Sequence, residues 1–287
     1  MYFKRMLVFL IFEVVLFLGI MLFITGCGQS SPGASPSPTI SGASTATPTP
    51  TSSSSLHNLD NIFFLHHSVG NNLVEQGDVR GRINSYNSAH SKHFEFWDHG
   101  YNADGLRDPS GTVMPSYSIN ADNTDVEHMH HLWTGADAEW TSFRNKIMSS
   151  HEVIAFKSCF PNSAITDTAM LNQYKTWYLE MRSYFDAHPE KLFVVMSTPP
   201  LHRLATNTAE ASNARAFANW LKSPTYLSGH PNIVCFDLFD YFAGADNFLK
   251  YEYEGDHASD DSHPNAAANE TVGPIFSQFL IDAALNY

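Results

Sequence analysis

Residues Phe63–Leu73, "FFLHHSVGNNL", decide how the chain is read. With Asn61 and Ile62 in front they give a short apolar run ending at Leu65, the length a parallel strand buried on both faces needs. Two histidines, a serine and a glycine come next, and Asn71 and Asn72 then open a helix. Ser68 therefore stands on a strand-to-helix turn. Two roles fit it there: a nucleophile at a helix start, where developing negative charge is stabilised, or a helix N-cap. His66 and His67 are open between metal ligands and polar supports.

Working outward, four more short runs rich in Phe, Val and Ile repeat the pattern: Phe94–Trp97, Glu152–Phe156, Lys191–Met196 and Asn232–Asp237. Helical stripes lie between them. Met170, Tyr174, Trp177, Tyr178, Met181, Tyr184 and Phe185 keep three- and four-residue spacing, predicting a helix from about Asn162 or Ser163 to just before Pro189. Others are predicted over 138–149, 209–221 and 274–284, the last with Pro274 in its first turn. Strands alternating with helices predict an α/β fold, an open parallel sheet of about five strands covered on both faces. The long connection between Trp97 and Ala138 shows little periodicity and holds "EHMHHLW", residues 127–133. Loops of that length in compact domains are usually functional or disordered.

The chain begins with Lys4, Arg5 and an apolar run to Gly26 broken only by Glu13, the pattern of an export signal. Residues 1–27 are assigned to that signal, or to an uncleaved membrane anchor, since the run is long enough to span a bilayer. Residues 28–55 are Ser, Thr, Pro, Gly and Ala apart from Gln29 and Ile40, without a charge, and are expected to be a flexible tether. The domain proper is then 56–287, outside the cytoplasm. The net charge of −13 sets nucleic-acid binding aside and favours a neutral or cationic substrate. Cys159 and Cys235 fall in runs that are not expected to be neighbours, so two free, mostly buried thiols are expected.

In an open α/β sheet the ligand crevice lies at the carboxyl ends of the strands. Gly105 comes after the second strand in "GYNADGL" and can bring a backbone N–H to a reacting oxygen. Asn162 comes after the third in "KSCFPNS", as an oxyanion donor or a helix cap. Beyond the fifth stands "DHASDDSHPN", where Asp260 lies three residues before His263. An Asp so placed can orient an imidazole through one nitrogen and leave the other to take a serine proton. Asp125 to His128 has the same spacing, but only the Asp260 pair lies beyond the fifth strand.

This ordered set, with Thr198-Pro199-Pro200 after the fourth strand, resembles the SGNH, or GDSL-like, hydrolase superfamily from about Leu59 to the end. The resemblance implies a three-layer α/β/α sandwich related to flavodoxin and a serine esterase acting without metal or cofactor, often in carbohydrate deacetylation. It makes Ser68 the nucleophile, His263 the base and Asp260 its partner, with Asp261 the alternative. It implies an oxyanion hole of Ser68, Gly105 and Asn162. The first block departs from Gly-Asp-Ser-Leu, because His66 and His67 precede the serine, and Phe160-Pro161-Asn162-Ser163 replaces Gly-x-Asn-Asp. Ile24-Thr25-Gly26-Cys27 likewise resembles a lipoprotein lipobox, implying lipidation at Cys27 and a membrane-tethered, exported protein.

The expected substrate is an acyl ester, foremost acetyl, borne by extracellular glycan. Two other classes remain open: a non-catalytic glycan-binding domain, and a metal-dependent hydrolase drawing on the chain's 15 histidines. A substrate rim is expected from His66, His67, Trp97, Tyr101, His128, His130, His131 and Trp133.

Overall fold

The computed structural model describes residues 59–100, 105–115, 117, 119 and 125–287. Cys27, the 28–55 tether and Tyr101 lie outside the described residues. All five expected runs form strands: β1 (Asn61–His66), β2 (Glu95–Gly100), β5 (Val153–Phe156), β6 (Leu192–Met196) and β7 (Ile233–Phe236). Two more, β3 (Leu106–Arg107) and β4 (Val113–Met114), form a short hairpin inside the long connection. The seven-stranded sheet has the order β4-β3-β2-β1-β5-β6-β7, parallel from β2 to β7 and antiparallel at the β3 and β4 edge.

The alternation within β1 shows why the strand is central. Ile62 and Phe64 enter one apolar core, and Phe63 and Leu65 enter the other. The first core is closed by α1 (Ser68–Gln76), α2 (Val79–His90) and α9 (Ala266–Asn286). The second is closed by α3 (Val126–Thr134), α4 (Ala138–Ser150), α5 (Thr168–Asp186), α6 (Thr208–Leu221) and α7 (Pro224–Leu227). The one-turn α8 (Leu238–Phe242) gives Leu238 and Phe242 to the first and Phe239 to the second. The result is the expected three-layer α/β/α arrangement. The chain adds β2 on one side of β1 and later β5 on the other, so the topological switch point falls between β1 and β5.

Three helices differ from the sequence expectation. The strong central helix begins at Thr168, capped by the Asp167 side chain, because Phe160–Ser163 forms a separate 3₁₀ turn. The last helix begins at Ala266, capped by Asn265, so Pro274 lies inside it. An interior proline costs about 3 kcal/mol, which buried Ala268, Val272, Phe276, Leu280 and Ile281 on the same helix offset. The "EHMHHLW" run is helix α3, with Val126, Met129, Leu132 and Trp133 buried and Asp125 as its N-cap. Cys159 and Cys235 are both free thiols, standing at β5 and β7 with β6 between. Among the described residues no helix is long and apolar enough to cross a membrane.

Helix α9 crosses the end of α1 at a pair of glycines. A Cβ on Gly273 would fall 2.3 Å from the Gly77 carbonyl oxygen and 2.4 Å from its Cα. Alanine normally improves a helix interior by about 1 kcal/mol over glycine. Gly273→Ala is expected to do the reverse, lowering stability by about 1–3 kcal/mol through overpacking against rigid backbone. Urea unfolding checks the sign, and an unchanged or raised midpoint would refute the close-approach role.

Candidate active site

The β1–α1 turn is built around a histidine. His67 occupies the N-cap position with φ −127° and ψ −169°, and Ser68 is the first residue of α1. Ser68 is therefore not the cap. No side chain caps this helix, so the first-turn N–H groups keep their positive potential. His66 folds back beneath the turn: a Cβ on Gly70 would lie 2.3 Å from its Cβ, and one on Gly100 would lie 3.1 Å from its Cε1. Both glycines make room for that ring.

His66 and His67 are buried, which removes them from the expected rim. His66 Nε2 donates to Asp98 Oδ2 at 2.7 Å, and its Nδ1 lies 3.2 Å from the carbonyl oxygen of His67. Asp98 is completely buried in β2 and also accepts from Arg80 and Arg107. The antiparallel register sets Arg107 of β3 directly opposite Asp98, and Arg107 reaches on to Glu75 of α1 at 2.6 Å. Burial works to raise the Asp98 pKa, but the His66 hydrogen bond and the charges of His66 and Arg107 hold it well below the usual carboxylate range. Burial lowers the His66 pKa against the opposing pull of Asp98. Next in the strand, burial pushes His99 down to about 4, and its Nε2 accepts the Ile119 N–H.

At the end of β5, Lys157 is fully buried, with its Nζ donating to the Ser158 carbonyl at 3.1 Å. Burial lowers its pKa to about 8, with Cys159 opposing. Asn162 is buried too. Its Nδ2 donates to the Cys159 carbonyl at 3.0 Å, and its Oδ1 accepts from Val126 N–H and the Tyr174 hydroxyl, both at 3.3 Å. It neither caps α5 nor stands as a bare amide, because it braces α3 and α5 against the strand end. Gly105, φ +153°, packs where a Cβ would lie 2.4 Å from the Met114 carbonyl oxygen, which gives it a structural reason inside the β3–β4 hairpin.

His263 reaches the same end of the sheet. Its ring meets the face of Phe160, just beyond β5, edge-on with centroids 4.9 Å apart. The carboxylate on it is Asp261, not Asp260. Asp261 Oδ1 accepts the ring Nδ1–H at 2.5 Å and the backbone N–H of His263 at 3.1 Å. Ser262 explains the spacing. Its buried hydroxyl accepts the His202 N–H at 2.9 Å, drawing that residue inward and setting its two neighbours on a tight turn. Asp260 meets the turn through its carbonyl oxygen, which accepts from the Ser262 hydroxyl at 3.4 Å. Burial would raise the Asp261 pKa, but the His263 hydrogen bonds and the nearby His263 and His202 charges bring it below normal. With Nδ1 donating to Asp261, Nε2 is left to accept a proton. His263 is one-third exposed, open to a substrate.

The remaining rim residues are placed elsewhere. Trp133 is fully buried against Phe156, Phe185 and Phe193. Trp97 packs toward His151, which precedes β5, and so sits toward the opposite end of the sheet. His128 pairs with Asp125 and stacks on Trp140 of α4, His131 packs on the same tryptophan, and His130 pairs with Glu180 and stacks on Trp177 of α5. These three are spent on helix packing. Asp125 to His128, the other Asp-x-x-His, is a helix cap. Among the described residues no group of three or more His, Cys, Asp or Glu side chains is arranged to hold a metal. The sequence reading missed Asp98, Arg80, Arg107 and Lys157; charged residues inside or just after buried strands were the available signal.

Neither a protein-family model nor a curated protein matches the chain. Among solved structures it is similar to a protein from Bacteroides fragilis provisionally named an acylhydrolase, with a TM-score of 0.49 and 12% identity over 78% of this chain and 88% of the other. It is also similar to a protein from Streptococcus pneumonia provisionally named a platelet activating factor, with a TM-score of 0.43 and 14% identity over 79% of this chain and 86% of the other.

Asp98 gives a pH prediction. Its native pKa lies below the unfolded value near 4, so the stability it contributes is present above about pH 4 and is lost as pH falls. Asp98→Asn removes the buried charge that faces two guanidinium groups and is expected to cost about 3–5 kcal/mol at pH 7. It should also flatten the decline in stability between about pH 4 and pH 2. Urea midpoints across that range check both; parallel pH profiles for the two proteins would contradict the assignment.

Proposed function

We propose that the protein is a serine esterase with Ser68 as nucleophile, His263 as general base and Asp261 as the residue that orients it. One observation carries the reading. An uncapped helix start bearing Ser68 comes directly after β1, and a histidine–carboxylate pair rests on Phe160 just beyond the adjoining β5, at the switch point of a parallel sheet. His263 Nε2 takes the Ser68 proton as Oγ attacks the acyl carbon, and later returns a proton to the leaving alcohol. The oxyanion forms over the first turn of α1, where the Ser68 N–H is its first donor. The resemblance adds the Asn162 side-chain amide and the Gly105 N–H as further donors, beside the bracing and hairpin contacts described above.

The substrate class we infer is an acyl ester, foremost acetyl, on extracellular carbohydrate. It rests on the resemblance of the ordered Ser68, Asn162 and His263 blocks and on a net charge of −13, which disfavours anionic substrates. Ser68→Ala and His263→Ala should each lower kcat on a short acyl ester by about 10³-fold or more. Asp261→Asn should lower it by about 10–100-fold and Asp260→Asn by less than about twofold. A fluorophosphonate should label Ser68, and chelators should leave turnover unchanged. Undiminished turnover by Ser68→Ala, or glycan binding without any turnover, defeats the proposal.

We further propose export and tethering through a lipid on Cys27, supported by the Lys4-Arg5 start, the apolar run and the uncharged 28–55 stretch. Metabolic labelling with a fatty-acid analogue should mark the membrane-bound chain and vanish in Cys27→Ala. Persistent membrane retention of an unlabelled chain would point instead to an uncleaved anchor.

A further inference from the structure

Beneath the His263 turn lies a second carboxylate with three nitrogen partners. Glu254 is buried, with Arg203 Nε 2.8 Å from Oε1, His257 Nδ1 2.7 Å from Oε2 and His202 Nε2 3.1 Å from Oε2. His202 is itself fully buried. Its Nδ1 accepts the Leu204 N–H at 3.0 Å, so the ring proton is on Nε2, which meets Glu254 Oε2 at 3.1 Å as a close charge contact without an aligned hydrogen bond. Its backbone N–H donates to the Ser262 hydroxyl. On the other side of His263, Glu254 forms a bridge with Pro264, and Asn265 Nδ2 donates to the Glu254 carbonyl at 3.1 Å.

His263 thus lies between two anchored neighbours: Ser262 accepts the His202 backbone N–H, and Pro264 bridges to the backbone of Glu254, whose side chain meets the His202 ring. We propose that Glu254 and His202 are a positioning pair that sets His263 for catalysis, linking the loop after β6 to the turn that carries the base. This rests on the reading of His263 as the general base. A buried carboxylate has a desolvation cost that apolar packing would avoid. What the pair provides here is directional constraint on a loop that no strand supports, where a misplacement of about 1 Å costs on the order of 10²-fold in rate.

The test uses the full chain and a short acyl ester, comparing Glu254→Ala, Glu254→Gln, Ser262→Ala, the Glu254→Ala/Ser262→Ala double variant and Ser68→Ala. Glu254→Ala is expected to lower kcat by about 10–100-fold with KM within about twofold. Glu254→Gln should recover part of the loss, because its amide oxygen still accepts from one partner. Ser262→Ala should lower kcat by about 3–10-fold, and the double variant should fall no further than Glu254→Ala, since both act through His202. A folded Glu254→Ala with the parent kcat, or a loss carried by KM alone, overturns the inference. If Glu254→Ala does not fold, Ser262→Ala decides, because it removes a single hydroxyl; parent kcat there also overturns it. Turnover that survives Ser68→Ala, or a parent protein without turnover, would instead fell the esterase reading, and this inference with it.

Discussion

The parallel pairing of β1 with both β2 and β5 is the constraint on which the site depends. His66 stands level with Gly100 on one side, and Leu65 with Phe156 on the other. Three strands therefore end together, and the segments beyond them are delivered to one edge: Ser68 after β1, the tight Gly100 end of β2, Lys157 to Ser163 after β5. Parallel strands bury both faces, which is why this edge can be polar while the strands behind it are almost wholly apolar. The charge that does enter the sheet sits at its rim, in Asp98, His66 and Lys157.

Asp98 is the most demanding of these. A carboxylate without solvent is tolerable only with its oxygens filled, and three elements meet to fill them: His66 from β1, Arg80 from α2 and Arg107 from β3, which also reaches Glu75 of α1. The β3–β4 hairpin then has a reason to exist, because its register brings Arg107 to Asp98. The same network fixes the His66 ring, which leaves no room for a Cβ at position 70 and little at position 100. The first histidine of the unusual His-His-Ser sequence is accounted for by this buried ion cluster.

The parts of the fold legible in the sequence were those governed by local pattern. Five strands and the stripes of α5 and α6 emerge from hydrophobic periodicity alone. The hairpin was hidden because strands of two residues have no period to detect, and α3 because its histidines mask a stripe that only burial makes visible. Pro274 suggested a helix start and lies within a helix, since its disruption is local and the packing of α9 is spread along many residues. At the candidate site, the places of Ser68 after β1 and of His263 beyond β7 were readable from their order along the chain. Asp261 was not: its choice over Asp260 turns on Ser262 being pulled inward by His202, sixty residues away in sequence. Trp133 and the α3 histidines carried the chemistry of a rim, but tertiary packing used them in the helical layer.

The two halves of the candidate site are anchored by different buried carboxylates. The Ser68 half is fixed by the Asp98 cluster on the β2 side of the sheet; the His263 half is fixed by Glu254 and His202 on the β6 side. Between these two anchors run the backbone ladder of β1, β5 and β6, the contact of Phe160 with His263, and helix α9, whose Asn269 Nδ2 donates both to Gln76 Oε1 of α1 and to the Pro264 carbonyl. A ladder of this kind resists sliding, since a one-residue slip would turn every buried side chain to the wrong core, but an aromatic edge contact yields easily to rotation. The serine is therefore held by charge and by register, whereas the imidazole depends on its own turn for orientation. Small losses within that turn should be felt at His263 well before Ser68 moves.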